Sequence, residues 1–584
     1  MKLIIMSACR RGLAAVALCA LASAPAAAQA LVRPAANPCV RPAAGSVVQE
    51  PPALRSLQGV LSIRLSYQHT FDDSGRELFC FMTPEGLQNP TLHVRPGDHL
   101  MIVITNNLPA GSAPMALNAP NCGAPIMNST SVNIHYHGTN LSPTCHQDEV
   151  IKTIINAGQT FQYNVLFPTN EPPGLYFYHP HVHGIAEHAV QGGATGAIVV
   201  DGIETVQPAV GALPQRILMV RDQPVPGNPA PGGNIPDWDL TLNYVPITSP
   251  THASSNDFVP AILQMKNGSR ELWSICNCSS DTILDLQYVF DGEPQTLQLV
   301  AIDGVPVNSQ DGAQPGPPIP VTHFLLPTAS RIQVIVSAPP PTVHLAQLMT
   351  LAVDTGPDGD NDPERPLATV QTGSQGRDSN IFAPSITSPA QRVSGRRFAG
   401  LKAAPIAIRR TVFFDENNDT STFFMAVEGR PEHVFDPNAP PDIVAVQGSV
   451  EEWVVQNRTQ EVHEFHFHQL HFLVESQDNF ELNGSPQNPA ITGQFLDMIH
   501  VPYWDGDPTH PFPSVTLRID FRGNDIGDFV FHCHILEHED NGMMNIIRVQ
   551  SADVDDRQIQ RTTGAQAHTH PAPAKGKTAA SRTR

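Results

Sequence analysis

The sequence predicts an all-β protein made of three β-sandwich domains. The 584 residues include 56 prolines and only 15% are charged, a composition that favours many strands joined by turns over long helices. The length is too great for one hydrophobic core and favours three or four domains. A pattern of glycine, strand and asparagine occurs three times, which predicts a triplicated β-sandwich.

The three copies of this pattern have the same internal spacing and nearly equal separations. In each copy an asparagine follows nine residues after a glycine, and a strand-like run lies between them. The copies run from Gly97 to Asn106, from Gly268 to Asn277 and from Gly448 to Asn457, so the glycines are 171 and 180 residues apart. These intervals predict a first domain at residues 50–204, a second at 205–390 and a third at 391–550.

The N-terminal residues predict an export signal over residues 1–30. Lys2, Arg10 and Arg11 precede an apolar run over residues 13–24, and small residues follow that run. The run is too short to span a bilayer as a mature helix, and no later stretch approaches the required length. The Arg10-Arg11 pair permits twin-arginine export, so this route and the general secretory route both stay open. The expected location is periplasmic or secreted.

Charge and composition limit the partners and the folded length. The formal net charge of -21 argues against nucleic acid as a partner. Residues 551–584 are rich in Ala, Thr, Pro and Lys, and this composition predicts a disordered tail.

The cysteine count is compatible with three disulfides in an exported protein. Two of the nine cysteines lie in the predicted signal, and Cys533 is a candidate metal ligand, which leaves six. Sequence alone allows about fifteen pairings of six cysteines. A bridge between Cys122 and Cys145 would bracket the first histidine motif and is the pairing we favour. A mixture of free and paired thiols is the alternative.

Residues 531–543 place one thiol, three imidazoles and a thioether close together in the sequence. If residues 531–534 are extended, Cys533 points to one face and His532 and His534 point to the other. His538 and Met543 follow at spacings that allow a turn to bring both beside the sulfur. Cysteine, histidine and a weak axial methionine are the ligands of a blue-copper centre, which needs one more histidine. The spacing therefore predicts a segment that joins two metal sites.

Three further segments carry paired histidines. They are His135-Tyr136-His137-Gly138, Tyr178-His179-Pro180-His181-Val182-His183-Gly184 and His463-Glu464-Phe465-His466-Phe467-His468-Gln469-Leu470-His471. Each contains a His-x-His pair, which points both imidazoles to one side of a strand. One such pair is more typical of surface histidines. Four pairs, two near the end of the first predicted domain and two in the last, predict a multi-copper site between those domains.

In these motifs the chain resembles the multicopper oxidases of the laccase-like group. The motifs His-x-His-Gly, His-x-His, His-x-x-His-x-His and His-Cys-His-x-x-x-His-x-x-x-x-Met are all present in the family's order, and the resemblance covers about residues 55–550. It implies three cupredoxin-like Greek-key β-sandwich domains and four copper ions. One mononuclear (type 1) copper would lie in the third domain, and a cluster of one type 2 and two type 3 coppers between the first and third.

The resemblance also implies which residues bind each copper. The type 1 copper takes His463, Cys533, His538 and axial Met543. The type 2 copper takes His135 and His466. One type 3 ion takes His137, His179 and His534, and the other takes His181, His468 and His532.

The remaining histidines fall outside the family's ligand positions. We expect His183 and His471 to support the ligands or the fold, and we expect His146, His188, His500 and His510 not to bind copper. The histidines of the middle domain, His252, His323 and His344, are isolated, which predicts a structural spacer without copper.

Two acidic residues match positions where the family keeps carboxylates that supply protons to the cluster. Glu539 directly follows the ligand His538, and Asp148 lies in the loop after the first histidine motif. The alternative for both is an ordinary surface charge or a loop hydrogen bond.

The function implied is oxidation of phenols or aromatic amines coupled to four-electron reduction of dioxygen to water. Electrons would pass through the Cys533 sulfur and the backbone to His532 and His534. The partners would be a small-molecule reductant and dioxygen.

Two alternatives stay open. One is a metallo-oxidase for Cu(I) or Fe(II) in metal tolerance, although the 13 methionines form no methionine-rich run. Oxidation of Fe(II) would need carboxylates near His463 and His538. The third-domain segment with Asp497, Asp505 and Asp507 could approach these histidines, which keeps this alternative open. The other is a copper-storage or electron-transfer protein without oxygen chemistry.

Replacing Cys533 with Ser should abolish the blue absorption and the oxidase activity, because the thiolate ligand would be lost. The ligands of the three-copper cluster would stay in place. Visible absorption and dioxygen uptake of the copper-loaded variant measure this, and a retained blue band would contradict the ligand assignment.

Overall fold

The computed structural model describes residues 38–109, 122–123, 127–249, 257–374, 397–417, 420–480, 488–523 and 525–552. The predicted export signal, and the predicted tail beyond residue 552, lie outside the described residues. The described α-helices are short, namely α1 (Ala186–Gln191), α2 (Ile203–Val206) and α3 (Leu536–Asp540), and 3₁₀ segments occur at Pro208–Val210, Leu401–Ala403 and Pro489–Ile491. None of the helices in this part of the chain has the length and apolar character needed to cross a membrane.

The first sandwich contains a five-stranded and a four-stranded sheet. The five-stranded sheet has the order β1 (Ala53–Arg55), β4 (Thr91–Val94), β9 (Gly196–Val200), β8 (Gly174–His179) and β6 (His135–His137). The four-stranded sheet has the order β3 (Glu77–Met82), β2 (Val60–Phe71), β5 (His99–Asn106) and β7 (Thr160–Leu166). Alternate residues of β5 are buried, and they share one apolar core with residues of the other sheet such as Leu92 and Tyr176.

The second sandwich is formed by an eight-stranded and a six-stranded sheet. The larger has the order β12 (Val245–Ile247), β11 (Trp238–Leu242), β10 (Gln215–Pro224), β14 (Arg270–Asn277), β21 (Arg331–Ser337), β17 (Leu297–Ile302) and β18 (Val305–Pro306), and β19 (Ile319–Val321) also pairs with β17. The smaller has the order β13 (Ala261–Lys266), β23 (Arg365–Gly373), β22 (Ala346–Leu351), β15 (Leu284–Phe290) and β16 (Glu293–Pro294), and β20 (His323–Leu326) also pairs with β15.

The third sandwich carries two of the histidine motifs on its smaller sheet. Its six-stranded sheet has the order β25 (Thr422–Val427), β24 (Ile408–Asn417), β27 (Val450–Asn457), β32 (Ser514–Asp520), β29 (Phe472–Asp478) and β30 (Phe495–Leu496). Its five-stranded sheet has the order β26 (Ile443–Val446), β34 (Met544–Gln550), β33 (Gly527–Cys533), β28 (His463–Phe467) and β31 (Met498–Val501).

The repeated pattern in the sequence marks equivalent strands of the three sandwiches. Strands β5, β14 and β27 each pair in parallel with an earlier strand and antiparallel with a later one. The glycine before each strand has a positive φ, of 87° at Gly97, 68° at Gly268 and 94° at Gly448. Glycine adopts this conformation without steric cost, so it suits the turn that opens each strand.

The asparagine that ends each copy connects two loops to its strand. All three side chains are fully buried, and each Nδ2 donates to two backbone carbonyls. Each Oδ1 accepts from the backbone N–H two residues later, at 3.0 Å for Asn106, 3.3 Å for Asn277 and 2.9 Å for Asn457. One side chain thus satisfies three backbone groups at the same place in each domain.

The all-β fold with three sandwiches is confirmed. The domain boundaries near residues 204 and 390 stay predictions, and residue 390 lies outside the described residues. The described residues contain three disulfides, Cys39–Cys80, Cys122–Cys145 and Cys276–Cys278, and Cys533 is a buried free thiol. The favoured Cys122–Cys145 bridge is therefore confirmed.

Replacing Asn106 with Ala should lower the free energy of unfolding by about 1–3 kcal/mol, because two buried carbonyls and one N–H lose their partner. The neighbouring Asn107 is exposed, so Asn107→Ala is a matched control that should have little effect. Thermal unfolding of the two variants provides the measurement. Equal effects at the two positions would contradict the role of Asn106.

Candidate metal centres

Cys533 and His532 contact two different groups of side chains. The Cys533 Sγ lies 3.7 Å from His463 Nδ1 and 3.6 Å from His538 Nδ1. The His532 Nε2 lies 3.3 Å from His181 Nε2 and 3.1 Å from the Nε2 of His468. Because successive side chains of β33 alternate between faces, two adjacent residues reach two separate sets of metal-binding atoms.

The first set combines a thiol with two imidazoles. Cys533, His463 and His538 are buried, and their ligand atoms lie within 4.8 Å of one another. Helix α3 turns the chain so that His538 returns to Cys533, and the backbone N–H of Cys533 donates to the carbonyl of Met543 at 3.1 Å. Met543 is fully buried. One cysteine sulfur and two imidazoles suit copper, and a methionine is a common weak fourth ligand of such a site.

The second set contains eight buried histidines from the first and third sandwiches. Antiparallel pairing aligns His135 with His179 across β6 and β8, and His466 with His532 across β28 and β33. The eight are His135, His137, His179, His181, His466, His468, His532 and His534. The structure therefore brings together every histidine that the sequence predicts for the three-copper cluster.

Subgroups within the eight agree in part with the implied ligand sets. The ligand atoms of His181, His468 and His532 lie within 4.8 Å of one another. The rings of His137, His179 and His534 are 4.9–5.8 Å apart. The implied type 2 pair, His135 and His466, has ring centroids 6.0 Å apart. The ligand atoms of this pair and of His468 lie within 4.8 Å of one another, and each ring of the pair also stacks on another histidine, His135 on His468 and His466 on His137.

Unsatisfied ring nitrogens show that the eight histidines fit a metal cluster. Six of the eight rings have a buried nitrogen without a hydrogen-bond partner: the Nε2 of His135, His137, His179 and His466, the Nδ1 of His468, and both nitrogens of His534. For three of these rings the Nδ1 is held, by Asp148, by the carbonyl of Pro180 and by the carbonyl of Asp497. A histidine held at Nδ1 and free at Nε2 is oriented to bind a metal.

Burial keeps most of these imidazoles neutral, as metal binding requires. It lowers the pKa of His179 to about 4 and that of His532 to about 3. His538, which belongs to the first set, has a raised pKa instead. Burial alone would lower its pKa, but the Glu461 carboxylate and the Cys533 sulfur raise it well above the usual value.

The two acids predicted to serve the cluster both contact its histidines. The Asp148 Oδ1 accepts from His135 Nδ1 at 3.0 Å, and its Oδ2 accepts from Gln469 Nε2 at 2.6 Å. The Glu539 carboxylate lies 3.2 Å from His532 Nδ1 and 3.6 Å from the Nδ1 of His181. Burial raises the pKa of each carboxyl group well above its usual value.

The expectation that Asp497 approaches His463 and His538 is wrong. Asp497 precedes β31, which pairs antiparallel with β28 so that Met498 lies opposite His466. This register places the Asp497 carboxylate 3.8 Å from His137 Nδ1, at the cluster of eight histidines. Asp505 instead pairs with His510 in an exposed loop, and Asp507 accepts hydrogen bonds from Thr509.

Glu461 is the carboxylate beside the first set, and the sequence interpretation missed it. Its Oε1 lies 3.2 Å from His538 Nε2. Glu461 lies two residues before the ligand position His463, which is the only sequence signal that could have indicated it. Thr459 similarly contacts His463 Nε2, at 2.9 Å.

The described histidines that we expected not to bind copper have partners outside the two sets. His471 donates to the carbonyl of Asp303, His500 pairs with Glu464, and the ring of His183 packs on Phe435. The exposed His188 pairs with Glu77, and His146 contacts the carbonyl of Gln162.

A cavity of about 230 Å³ reaches the cluster between the first and third sandwiches. His181 and His183 form part of its wall. Most of its other lining is apolar, including Val150, Val530 and Met544.

Two family models match the chain, both described as multicopper oxidase. One covers residues 126–204 and the other residues 409–553, so they include all four histidine motifs.

Relatives and solved structures agree with these matches. A multicopper oxidase of Staphylococcus aureus is 33% identical over 20% of this chain, and the alignment spans only 23% of that relative's length. The multicopper oxidase LPR1 homolog 1 of Oryza sativa subsp. japonica is 21% identical, and the alignment covers 79% of this chain and 82% of that relative's length. A multicopper oxidase from Campylobacter jejuni, described as a metallo-oxidase, has a TM-score of 0.60 at 20% identity and covers 87% of this chain and 96% of its own. Residues 126–204 and 409–553, which carry the four histidine motifs, are thus multicopper oxidase segments.

Proposed function

We propose that the chain is an exported four-copper oxidase that couples one-electron oxidation of phenols or aromatic amines to four-electron reduction of dioxygen to water. The observation that carries the proposal is the contact of adjacent residues Cys533 and His532 with two separate sets of metal-binding atoms. A storage protein needs no such connection. Bound copper would supply one-electron redox chemistry and the binding of dioxygen.

The residues that would hold the four ions follow the family's positions. His463, Cys533, His538 and Met543 would hold the type 1 ion, and His135 and His466 the type 2 ion. His137, His179 and His534 would hold one type 3 ion, and His181, His468 and His532 the other. The unsatisfied nitrogens of six of these rings support the assignment.

Cys533 provides a continuous covalent connection between the two sets. The path runs from its sulfur through its own backbone to the side chains of His532 and His534. The backbone N–H of Glu464 donates to the sulfur at 3.4 Å, and the N–H of His534 donates to the carbonyl of Glu464 at 2.7 Å. These bonds hold the connecting segment rigidly against β28.

Asp148 and Glu539 would hold protons close to the histidine cluster. Both carboxylates are buried, both contact ligand histidines, and burial favours their protonated form. Gln469 links Asp148 to the third sandwich. Reduction of dioxygen consumes protons, so groups at these positions suit proton delivery.

The apolar cavity beside His181 would admit dioxygen, which is small and apolar. Its lining of Val150, Val530 and Met544 would favour dioxygen over ions. The predicted export signal supports a periplasmic or secreted location.

A metallo-oxidase for Fe(II) or Cu(I) is the second candidate, and Glu461 favours it. Its carboxylate touches the outer nitrogen of His538, and Glu416 lies close enough to interact with both Glu461 and His538. Carboxylates beside the electron-accepting ligand would attract a cationic reductant. The ring of Phe423 stacks on His538 at 4.4 Å, a contact that suits an aromatic reductant equally well.

A reductant panel on the copper-loaded protein tests both candidates. Phenols, aromatic amines, Fe(II), Cu(I) and bilirubin are compared by dioxygen uptake, in the wild type and in Glu461→Gln. If a metal ion is the substrate, Glu461→Gln should raise its KM by about tenfold, since a contact worth about 1.4 kcal/mol is lost, and leave the phenol KM unchanged.

Glu452→Gln is the control for this panel, because Glu452 pairs with the exposed Arg409 and not with a histidine. An equal effect of Glu461→Gln on every reductant would contradict the metallo-oxidase. Absence of dioxygen uptake with all reductants would contradict the oxidase proposal and favour a copper-binding protein.

Asp148→Asn should slow turnover of dioxygen by about 10- to 100-fold while the blue absorption stays intact. Asparagine keeps the size of the side chain but holds no exchangeable acid proton. Asp285→Asn is the matched control. Asp285 also pairs with a histidine, His323, but both residues belong to the second sandwich and to neither set of candidate ligands. Unchanged dioxygen kinetics in Asp148→Asn would remove Asp148 from the proton path.

A further inference from the structure

Arg331 of the second sandwich contacts both of the other sandwiches. It lies at the start of β21 and is fully buried. Its guanidinium donates to Asp497 of the third sandwich through two parallel bonds, Nη1 to Oδ1 at 2.7 Å and Nη2 to Oδ2 at 2.5 Å. Its Nε donates to the carbonyl of Leu175 in the first sandwich at 3.3 Å.

The Arg331–Asp497 pair lies at the outer edges of two cluster histidines. The His137 Nδ1 is 3.2 Å from Arg331 Nη1 and 3.8 Å from Asp497 Oδ1. The His466 Nδ1 donates to the backbone carbonyl of Asp497 at 2.9 Å. The two rings stack with centroids 3.9 Å apart, and the Nε2 of each is unsatisfied.

We propose that Arg331 is a positioning residue of the copper cluster. It fixes His137 and His466 through its two parallel hydrogen bonds to Asp497. The inference rests on the proposed function, in which these two histidines bind different ions. A ligand histidine is oriented by whatever holds its second nitrogen. The side chains of the Arg331–Asp497 pair lie at the Nδ1 of His137, and the backbone carbonyl of the same Asp497 accepts from the Nδ1 of His466. One residue held by Arg331 thus sets the separation of two rings, one from each domain.

The surroundings of the pair leave little room for another arrangement. Gly138 follows His137 with φ of 81°, and a Cβ there would overlap Arg331 Nη2 and Asp497 Oδ2. Asp303 accepts from the backbone N–H of Arg331 at 2.9 Å, and His471 donates to the carbonyl of Asp303. The glycine of the first motif and the extra histidine of the third thus belong to the same arrangement.

Replacing both partners with neutral residues tests the positioning role without leaving an unpaired buried charge that would destabilise the fold. Removing one member of a buried ion pair leaves an unpaired charge, whereas neutral replacement of both members is often tolerated. The variant is therefore Arg331→Met with Asp497→Asn, which keeps the backbone carbonyl that His466 uses.

Copper content, the type 2 electron paramagnetic resonance signal and dioxygen turnover are measured on the copper-loaded variant. We expect copper loss from the cluster or an altered type 2 signal, and turnover lower by about 10- to 100-fold. The blue band should stay intact, because Cys533, His463 and His538 lie in the third sandwich alone. If the double variant fails to fold, Arg331→Lys is measured in the same way. Lysine keeps the positive charge but cannot make two parallel hydrogen bonds to the carboxylate.

The matched control is Arg216→Met with Glu271→Gln, a buried forked pair within the second sandwich with distances of 2.7 and 3.0 Å. Copper content, resonance signal and turnover that match the control would overturn the positioning role. A wild-type protein without a blue band and without dioxygen uptake would instead overturn the proposed function.

Discussion

Buried imidazoles with unsatisfied nitrogens are the constraint on which this structure depends. Eight histidines meet between the first and third sandwiches, and six of them have a ring nitrogen without a protein partner. Each buried, unsatisfied polar group costs about 1–3 kcal/mol. Burial, and then repulsion from neighbouring rings, lowers the pKa of His135 and His534, so protons do not satisfy these nitrogens together. A bound metal would offset this cost at the contact between the two sandwiches.

The grouping of the candidate ligand residues could be predicted from the sequence because their geometry is local. Alternation along a strand places His532 opposite Cys533, and a His-x-His pair puts two rings on one face, wherever the strand lies. The repeat of glycine and asparagine likewise predicted three equivalent strands, because each copy includes its own turn and its own buried asparagine. These features need no knowledge of the tertiary contacts.

Arg331, Asp497 and Glu461 could not be assigned in this way. Arg331 begins an ordinary strand of the second sandwich, and only the packing of three domains brings it to His137. Asp497 was predicted at the wrong site because the register between β31 and β28 decides its position, and sequence does not show that register. The middle domain was expected to be a spacer. That it binds no copper stays a prediction, and His252 lies outside the described residues, but the Arg331 guanidinium of this domain lies 3.2 Å from the Nδ1 of His137.

The distribution of ligands over the domains has a consequence for assembly of the protein. Cys533, His463, His538 and Met543, the candidate type 1 ligands, all belong to the third sandwich. The eight histidines are divided equally between the first sandwich and the third, and Arg331 of the second lies 3.2 Å from His137. If copper binds as proposed, the type 1 site would need the residues of one domain only. The three-copper cluster, by contrast, would form only after the third domain has docked against the first.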